Sequence, residues 1–185
     1  MLGYVVNDTD RARDIIGRIR DLIKKAPPLK DRLDINEAIR GVIELARSEA
    51  VKNDVAMQTE LGDDLPLVEG DRVQLQQVIL NLMVNAIQAM GTVARGSRSV
   101  LITTARAESD GIIVAVKDSG PGLAPDALKR IFDPFYTTKP GGLGMGLSIC
   151  RSIIEAHAGR LWVTSNAPHG ATFHFTVPAH PGSAS

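Results

Sequence analysis

Apolar residues recur along this chain in two rhythms, and the switches between them divide it. In residues 7–25, Ile15, Ile16, Ile19, Leu22 and Ile23 recur at three and four among Arg, Lys and Asp, which predicts a charged amphipathic helix. So narrow a stripe suits a two-helix or coiled-coil partner, or packing on the chain's own domain. Pro27-Pro28 ends the pattern and opens a linker. A second helix is expected from Asp34 to about Lys52. Asp34 or Asn36 would be its N-cap, with Ile35, Ile39, Val42, Ile43, Leu45 and Ala46 on its inner side. Residues 55–61 alternate as a strand does, and 66–70 read as a short strand or connector. Residues 74–90 form a helix that is apolar on most sides, capped by Asp71 and closed by Gly91.

The rhythm then shortens to two. Ser99–Ala107 and Ile112–Lys117 are β-rich runs joined through Asp110-Gly111, a hairpin signal. An irregular stretch follows, with a short helix at 126–131 and a Pro- and Gly-rich loop at 132–146. A helix over 145–158 leaves that loop directly. Residues 160–165 and 172–177 form a final hairpin. Hairpins plus helices, without alternating βα units, imply an α+β fold: two layers, a mixed and mostly antiparallel sheet with helices on one face, and an N-terminal helix appended. The expected boundaries are an appendage over 1–28, a main domain over 29–178 and a disordered tail over 179–185.

Composition changes this picture little. The chain has 185 residues with 21 basic and 21 acidic side chains, so its zero net charge gives no reason to expect a nucleic-acid partner. The single cysteine, Cys150, excludes a disulfide framework and suits a reducing, cytoplasmic compartment. No apolar run is long enough for a membrane span. No membrane contact is expected of this chain, although a longer parent could be membrane-bound.

Candidate chemistry sits at three places. Gln74, Gln77, Asn81, Asn85 and Gln88 share one face of the 74–90 helix, a face that either meets solvent or grips something polar. Asp118–Gly122, DSGPG, ends a strand. Its carboxylate either accepts from an exocyclic amine of a flat ligand or caps a tight turn. Gly141–Gly146, GGLGMG, runs into a helix N-terminus, where exposed amides and the helix dipole favour phosphate. Lys139, Thr137 and Thr138 precede it with a cation and two hydroxyls. Phe132, Phe135 and Tyr136 crowd the same loop, as an apolar anchor on a mobile lid or as a core cluster.

The set NLMVNAIQA (81–89), DSGPG (118–122), FDPFYTTK (132–139) and GGLGMGL (141–147) resembles the N, G1, F and G2 boxes of sensor histidine kinases, in the family's order. GATFHFTVP (170–178) resembles its closing strand. The likeness spans about residues 34–178 and is nearest to nitrogen-regulation and oxygen-sensor kinases, within the superfamily that includes gyrase, Hsp90 and MutL. It implies the Bergerat ATP-binding fold, with ATP and Mg²⁺ as ligands. It implies that Asn85 coordinates Mg²⁺, and that Asn81 and Gln88 line the phosphate side. Asp118 would accept from the adenine amino group, with Gly120 and Gly122 admitting the ring. Lys139, Gly142, Gly144 and Gly146 would sit in the lid over the phosphates. Phe132, Thr138, Met145 and Leu147 join the implied nucleotide shell, and Thr172 is expected to reach Asp118 or an adenine-bound water. Asn81, Asn85 and Lys139 are the implied catalytic set.

One departure bears on function. The family's phosphorylated histidine precedes these boxes, whereas His157, His169, His174 and His180 all follow them. The chain is therefore expected to be a kinase fragment. The expected partners are an acceptor-histidine helix on an absent segment, a response regulator receiver domain, and a second copy through the N-terminal helix, which resembles the second helix of the dimerisation hairpin. A nucleotide-responsive module without catalysis, an anti-sigma-factor serine kinase and a simple ATPase are the alternatives. A superfamily Glu that activates water is matched by Asn81 here, and an amide cannot act as a general base, which favours transfer over hydrolysis.

Overall fold

The computed structural model describes residues 30–108, 110–139 and 142–180. The expected N-terminal helix and linker, Gly141 and residues 181–185 lie outside these. Asp31–Leu33 (β1) pairs antiparallel with Val68–Gly70 (β3). So short a strand as β1 has no period to read, and it was not expected. Between them run the helix Ile35–Lys52 (α1) and the strand Ala56–Leu61 (β2). Asp34 is the N-cap: its side chain accepts from the amides of Asn36 and Glu37. Ile35, Ile39, Val42 and Ala46 are buried as expected, but Leu45 is 66% exposed because it falls just outside the buried arc of the helix.

Arg72–Ala89 (α2) is capped by Asp71, whose carboxylate accepts from the amides of Val73 and Gln74. The helix tightens into a 3₁₀ turn at Met90–Thr92, so Gly91 lies within that turn and is no C-cap. Ser99–Ala107 (β4) and Gly111–Asp118 (β5) form the expected hairpin. Then come Pro125–Arg130 (α3), Gly146–Ala156 (α4), Leu161–Ser165 (β6) and Ala171–Pro178 (β7). Beyond β7 the chain stays bonded, contrary to a tail beginning at 179. Ala179 donates to Asp110 and bridges Val68, and His180 donates to Leu67.

The main sheet has the order β2-β4-β5-β7-β6, with β2 parallel to β4 and every other pair antiparallel. Side-chain alternation decides which face is covered. Val100, Ile102, Val114, Val116, Phe173 and Phe175 are buried against the helices, while Leu101, Thr103, Ala115 and His174 on the opposite face are not. The sheet pairs Val100 with Asp118 and Lys117 with Thr172, which places Asp118 at the helix-covered end of β5. The two-layer α+β architecture with helices on one face is the one expected.

Two polar contacts pin the helices to this frame. Asn36 donates to the carbonyl of Gly62 and accepts from the Thr104 hydroxyl, which itself accepts from the Gly62 amide. This closed ring anchors the start of α1 to the sheet. His157, 2% exposed, accepts through Nε2 from the Asp71 amide and faces the Ile153 carbonyl through Nδ1. It thereby ties the end of α4 to the start of α2. Thr104→Val should strand a buried Asn36 oxygen and destabilise the domain by about 1–3 kcal/mol. Urea unfolding measures this, and an unchanged midpoint would show that the ring is not stabilising.

Candidate functional site

α2 carries its amides on the side that faces the loop before α4. Gln74 and Gln77 are half-buried and stay outside the cavity described below. Asn81, Asn85 and Gln88 turn towards it. The Asn81 amide donates to the carbonyl of Gly146 at 3.1 Å, and the Asn85 amide donates to Asn81 Oδ1 at 3.1 Å. Lys139 Nζ donates to Asn85 Oδ1 at 3.1 Å and to Gln88 Oε1 at 2.9 Å. An ammonium, two asparagine amides and a helix-start carbonyl thus form one directed chain. Burial pulls the Lys139 ammonium below its ordinary pKa. Among the described residues no carboxylate lies within salt-bridge reach of it.

The cavity beside this chain has a volume of about 400 Å³. Its floor is α2, and Asp118, Gly122 and Ala171 close the end beside Ala89. Thr138, Lys139, Gly142 and Gly144 form its lid side, with Gly146 and Leu147 at the start of α4. The nine residues from Asn81 to Ala89 span about 12 Å along α2. One end of the cavity therefore carries the amides and the ammonium, and the other the carboxylate.

Asp118 is 4% exposed. Its Oδ1 accepts from the amides of Gly120 at 2.8 Å and Ala171 at 3.3 Å. Oδ2 has no donor among the described residues, so one carboxylate oxygen is left for a donor in the cavity. Burial raises the Asp118 pKa, and the two backbone amides oppose that rise.

The glycines of the lid are steric requirements at two points. Gly144 has φ +66°, and a Cβ there would lie 2.5 Å from the backbone carbon of Phe135. Phe135 donates its own amide to the Gly144 carbonyl at 3.0 Å, so the loop's two arms run in contact. A Cβ on Gly146 would lie 2.9 Å from the Asn81 amide nitrogen. Gly146 therefore gives Asn81 the room to bond across to α4.

Four expected contacts are placed differently. Thr172 points to the opposite face of β7, where its hydroxyl exchanges hydrogen bonds with Asn166. Strand alternation sends its neighbours Ala171 and Phe173 to the cavity instead, and Ala171 supplies the bond to Asp118. Phe132 lies behind the wall, edge-to-face on Phe173 with ring centroids 6.3 Å apart. Met145 is the N-cap residue of α4 and contributes its carbonyl to Ser148 and Ile149. Gly120 shapes the Asp118 loop without lining the cavity. Of the loop aromatics, Tyr136 lines the cavity and Phe135 is 74% exposed. Ala89, Thr92, Leu123, Ile131 and Phe173 line it without having been expected. Apolar walls carry no signal in sequence that separates them from core.

Residues 70–181 match the family described as histidine kinase-, DNA gyrase B-, and HSP90-like ATPase. The chain is 37% identical over 178 residues to the sensor histidine kinase TmoS of Ectopseudomonas mendocina, covering 96% of this chain and 18% of TmoS. It is 43% identical over 169 residues to the sensor protein FixL of Bradyrhizobium diazoefficiens, covering 91% of this chain and 33% of FixL. The chain thus spans a third or less of the length of these relatives. Among solved structures, the nucleotide-free catalytic domain of the histidine kinase ThkA superposes with TM-score 0.73 at 35% identity, covering 83% of this chain and 98% of that one. ThkA in complex with its response regulator TrrA gives 0.79 at 31% identity, covering 97% and 51%. Full-length ShkA in complex with AMPPNP gives 0.80 at 28%, covering 95% and 36%.

The raised Asp118 pKa has a testable sign. Between the ordinary carboxylate value and the raised one, the folded state binds more protons than the unfolded state, so this group lowers stability as pH rises through that window. Asp118→Asn keeps an oxygen for the two amides and should remove that slope. Urea midpoints of both proteins from mildly acidic to neutral pH measure it, and parallel curves would contradict the assignment.

Proposed function

The chain belongs to the histidine kinase-, DNA gyrase B- and HSP90-like ATPase family, as an ATP-binding domain of the sensor histidine kinase type, and from that premise we propose that it positions ATP for phosphoryl transfer to a histidine carried outside the described domain. The observation that carries this reading is the two-ended cavity: neutral amides and an ammonium at one end, a carboxylate with a free oxygen at the other. Adenine donates through its exocyclic amine, which suits Asp118 Oδ2. Gly146 and Leu147 at the first turn of α4 present a helix N-terminus to the cavity, and Thr138 and Lys139 add a hydroxyl and a charge for the phosphates.

The donor set fits Mg²⁺ as a hard cation held by few protein oxygens. Among the described residues no cluster of three acidic, histidine or cysteine side chains forms a metal cage. Asn85 Oδ1, however, already accepts from a cation, and phosphate oxygens would complete the shell. When bound, the metal would neutralise charge on the phosphates. Asn85 would supply an oxygen to it, Asn81 would hold Asn85 in orientation, and Lys139 would meet phosphate charge directly. Phosphoryl transfer requires positioning and charge neutralisation more than covalent help.

Asp118 is the one carboxylate among the cavity's lining residues, and it lies at the adenine end. Among the described lining residues no carboxylate or histidine stands beside Asn81 and Asn85 to activate water, which favours transfer over hydrolysis. None of the four histidines serves as acceptor in this reading. His157 is buried with both ring nitrogens engaged, and His174 stacks on Trp162 at 5.2 Å. The acceptor histidine, a response regulator receiver domain as the next phosphoryl carrier, and pairing through residues 1–28 follow as partners. No helix among the described residues is long and apolar enough to cross a membrane, and a cytoplasmic location is part of the same proposal.

Calorimetry should show this chain binding ADP and ATP in the presence of Mg²⁺. Asn85→Ala should weaken binding of the Mg²⁺ complex by at least about tenfold. Equal affinity in the variant would contradict the metal and phosphate assignment. With radiolabelled ATP, the chain alone should acquire no acid-labile phosphate, and a stable label on any of its own histidines would overturn the external-acceptor reading.

A further inference from the structure

The hydrogen-bond chain along α2 does more than line a pocket. Its two ends are the two ends of the lid. Lys139 enters the lid and is bonded to Asn85 and Gln88, while Gly146 leaves it and is bonded to Asn81. The Lys139 amide makes a local turn bond, donating to Thr137 Oγ1 at 3.0 Å. Among the described residues the Nζ atom meets two neutral amide oxygens and no carboxylate, so its charge is solvated by amide dipoles. Asn85 cannot offer Oδ1 to a metal and keep this bond in the same geometry: a divalent cation and an ammonium at one oxygen repel each other.

We propose that Lys139 is a built-in substitute for the divalent cation: in the absence of nucleotide its ammonium sits on Asn85 Oδ1, the oxygen that Mg²⁺ would take, and arrival of the metal–nucleotide complex moves it off Asn85 and onto phosphate. This rests on the reading of the cavity as a nucleotide site. Two consequences follow from charge alone. Without metal, the phosphates of a nucleotide still find one cation at the amide end, so binding does not depend wholly on Mg²⁺. With metal, the displaced ammonium releases Lys139 from α2, while the Asn81–Gly146 bond is kept. Gln88 contributes the second oxygen of the seat and positions the ammonium. It is the exposed member of the pair, so losing it should loosen the latch without emptying the cavity.

The experiment measures ADP affinity by calorimetry with excess Mg²⁺ and with EDTA, for the wild-type chain and for Lys139→Gln, which retains length but not charge. The quantity read is the ratio of the two dissociation constants. In the wild type that ratio should be modest. In Lys139→Gln the EDTA arm should weaken by about tenfold and the Mg²⁺ arm by much less, so the ratio rises about tenfold. An unchanged ratio, with both proteins binding ADP, overturns the substitute-cation role and leaves the nucleotide site standing. No ADP binding by the wild type in either condition overturns the site itself, and this inference with it. Hydrogen exchange of the nucleotide-free chains supplies a second readout that needs no ligand. Amides of residues 136–139 should exchange faster in both Lys139→Gln and Gln88→Ala, with those of α2 and β5 unchanged. Identical exchange at 136–139 in wild type and both variants overturns the latch. Unchanged α2 and β5 protection shows that the variants fold.

Discussion

The demand of half-buried amides for partners organises this domain. α2 packs Leu75, Ile79, Leu82, Met83 and Ile87 into the core, and its remaining side carries Asn81, Asn85 and Gln88. Amides so placed are costly unless bonded. Their partners come from the loop over 132–146: the carbonyl of Gly146 and the ammonium of Lys139. The polar side of α2 therefore fixes where the lid starts and where it ends. Among the described residues no fully buried side-chain nitrogen or oxygen lacks a partner. The cavity is the space left between that polar side, the lid and the end of β5.

The other end obeys the same rule with a carboxylate. Asp118 is buried because β5 is a central strand and alternation turns position 118 towards the helices, as it does Val114 and Val116. Among the described residues only one of its oxygens has donors, the amides of Gly120 and Ala171. An ionised group held in this way resists burial, and its raised pKa records the conflict. A ligand that donates to the free oxygen would relieve it. The two ends thus differ in what they lack: one a donor, the other an anion. A nucleotide would supply both, in keeping with the function proposed for the cavity.

Much of this was legible beforehand. Both long helices, the two hairpins and the lid lie where periodicity and Pro/Gly punctuation placed them. Of the expected site residues, those in the amide stripe and most lid positions converge on the cavity. The misses have physical causes. β1 is three residues long and has no rhythm, and it exists because β3 lies beside it. Leu45 obeys the apolar pattern of α1 but sits at the edge of the buried arc. Thr172 is one residue out of phase, since a strand gives its neighbours opposite faces. Phe132 was grouped with the lid by proximity in sequence, but packing places its ring on Phe173, behind the wall.

Sequence by itself determined the element order, a sheet with helices on one face and the kinds of group at the site. These follow from local periodicity, turn chemistry and the spacing of polar residues on one helix. It left undecided whether the amide face met solvent or a ligand, and whether Asp118 capped a turn or faced a cavity. Tertiary structure supplied the bonds of these groups, because their partners are distant along the chain: Gly146 for Asn81, Lys139 for Asn85, Ala171 for Asp118. It also decided the apolar walls, since Leu123, Ile131 and Phe173 differ from core residues only in having empty space on one side.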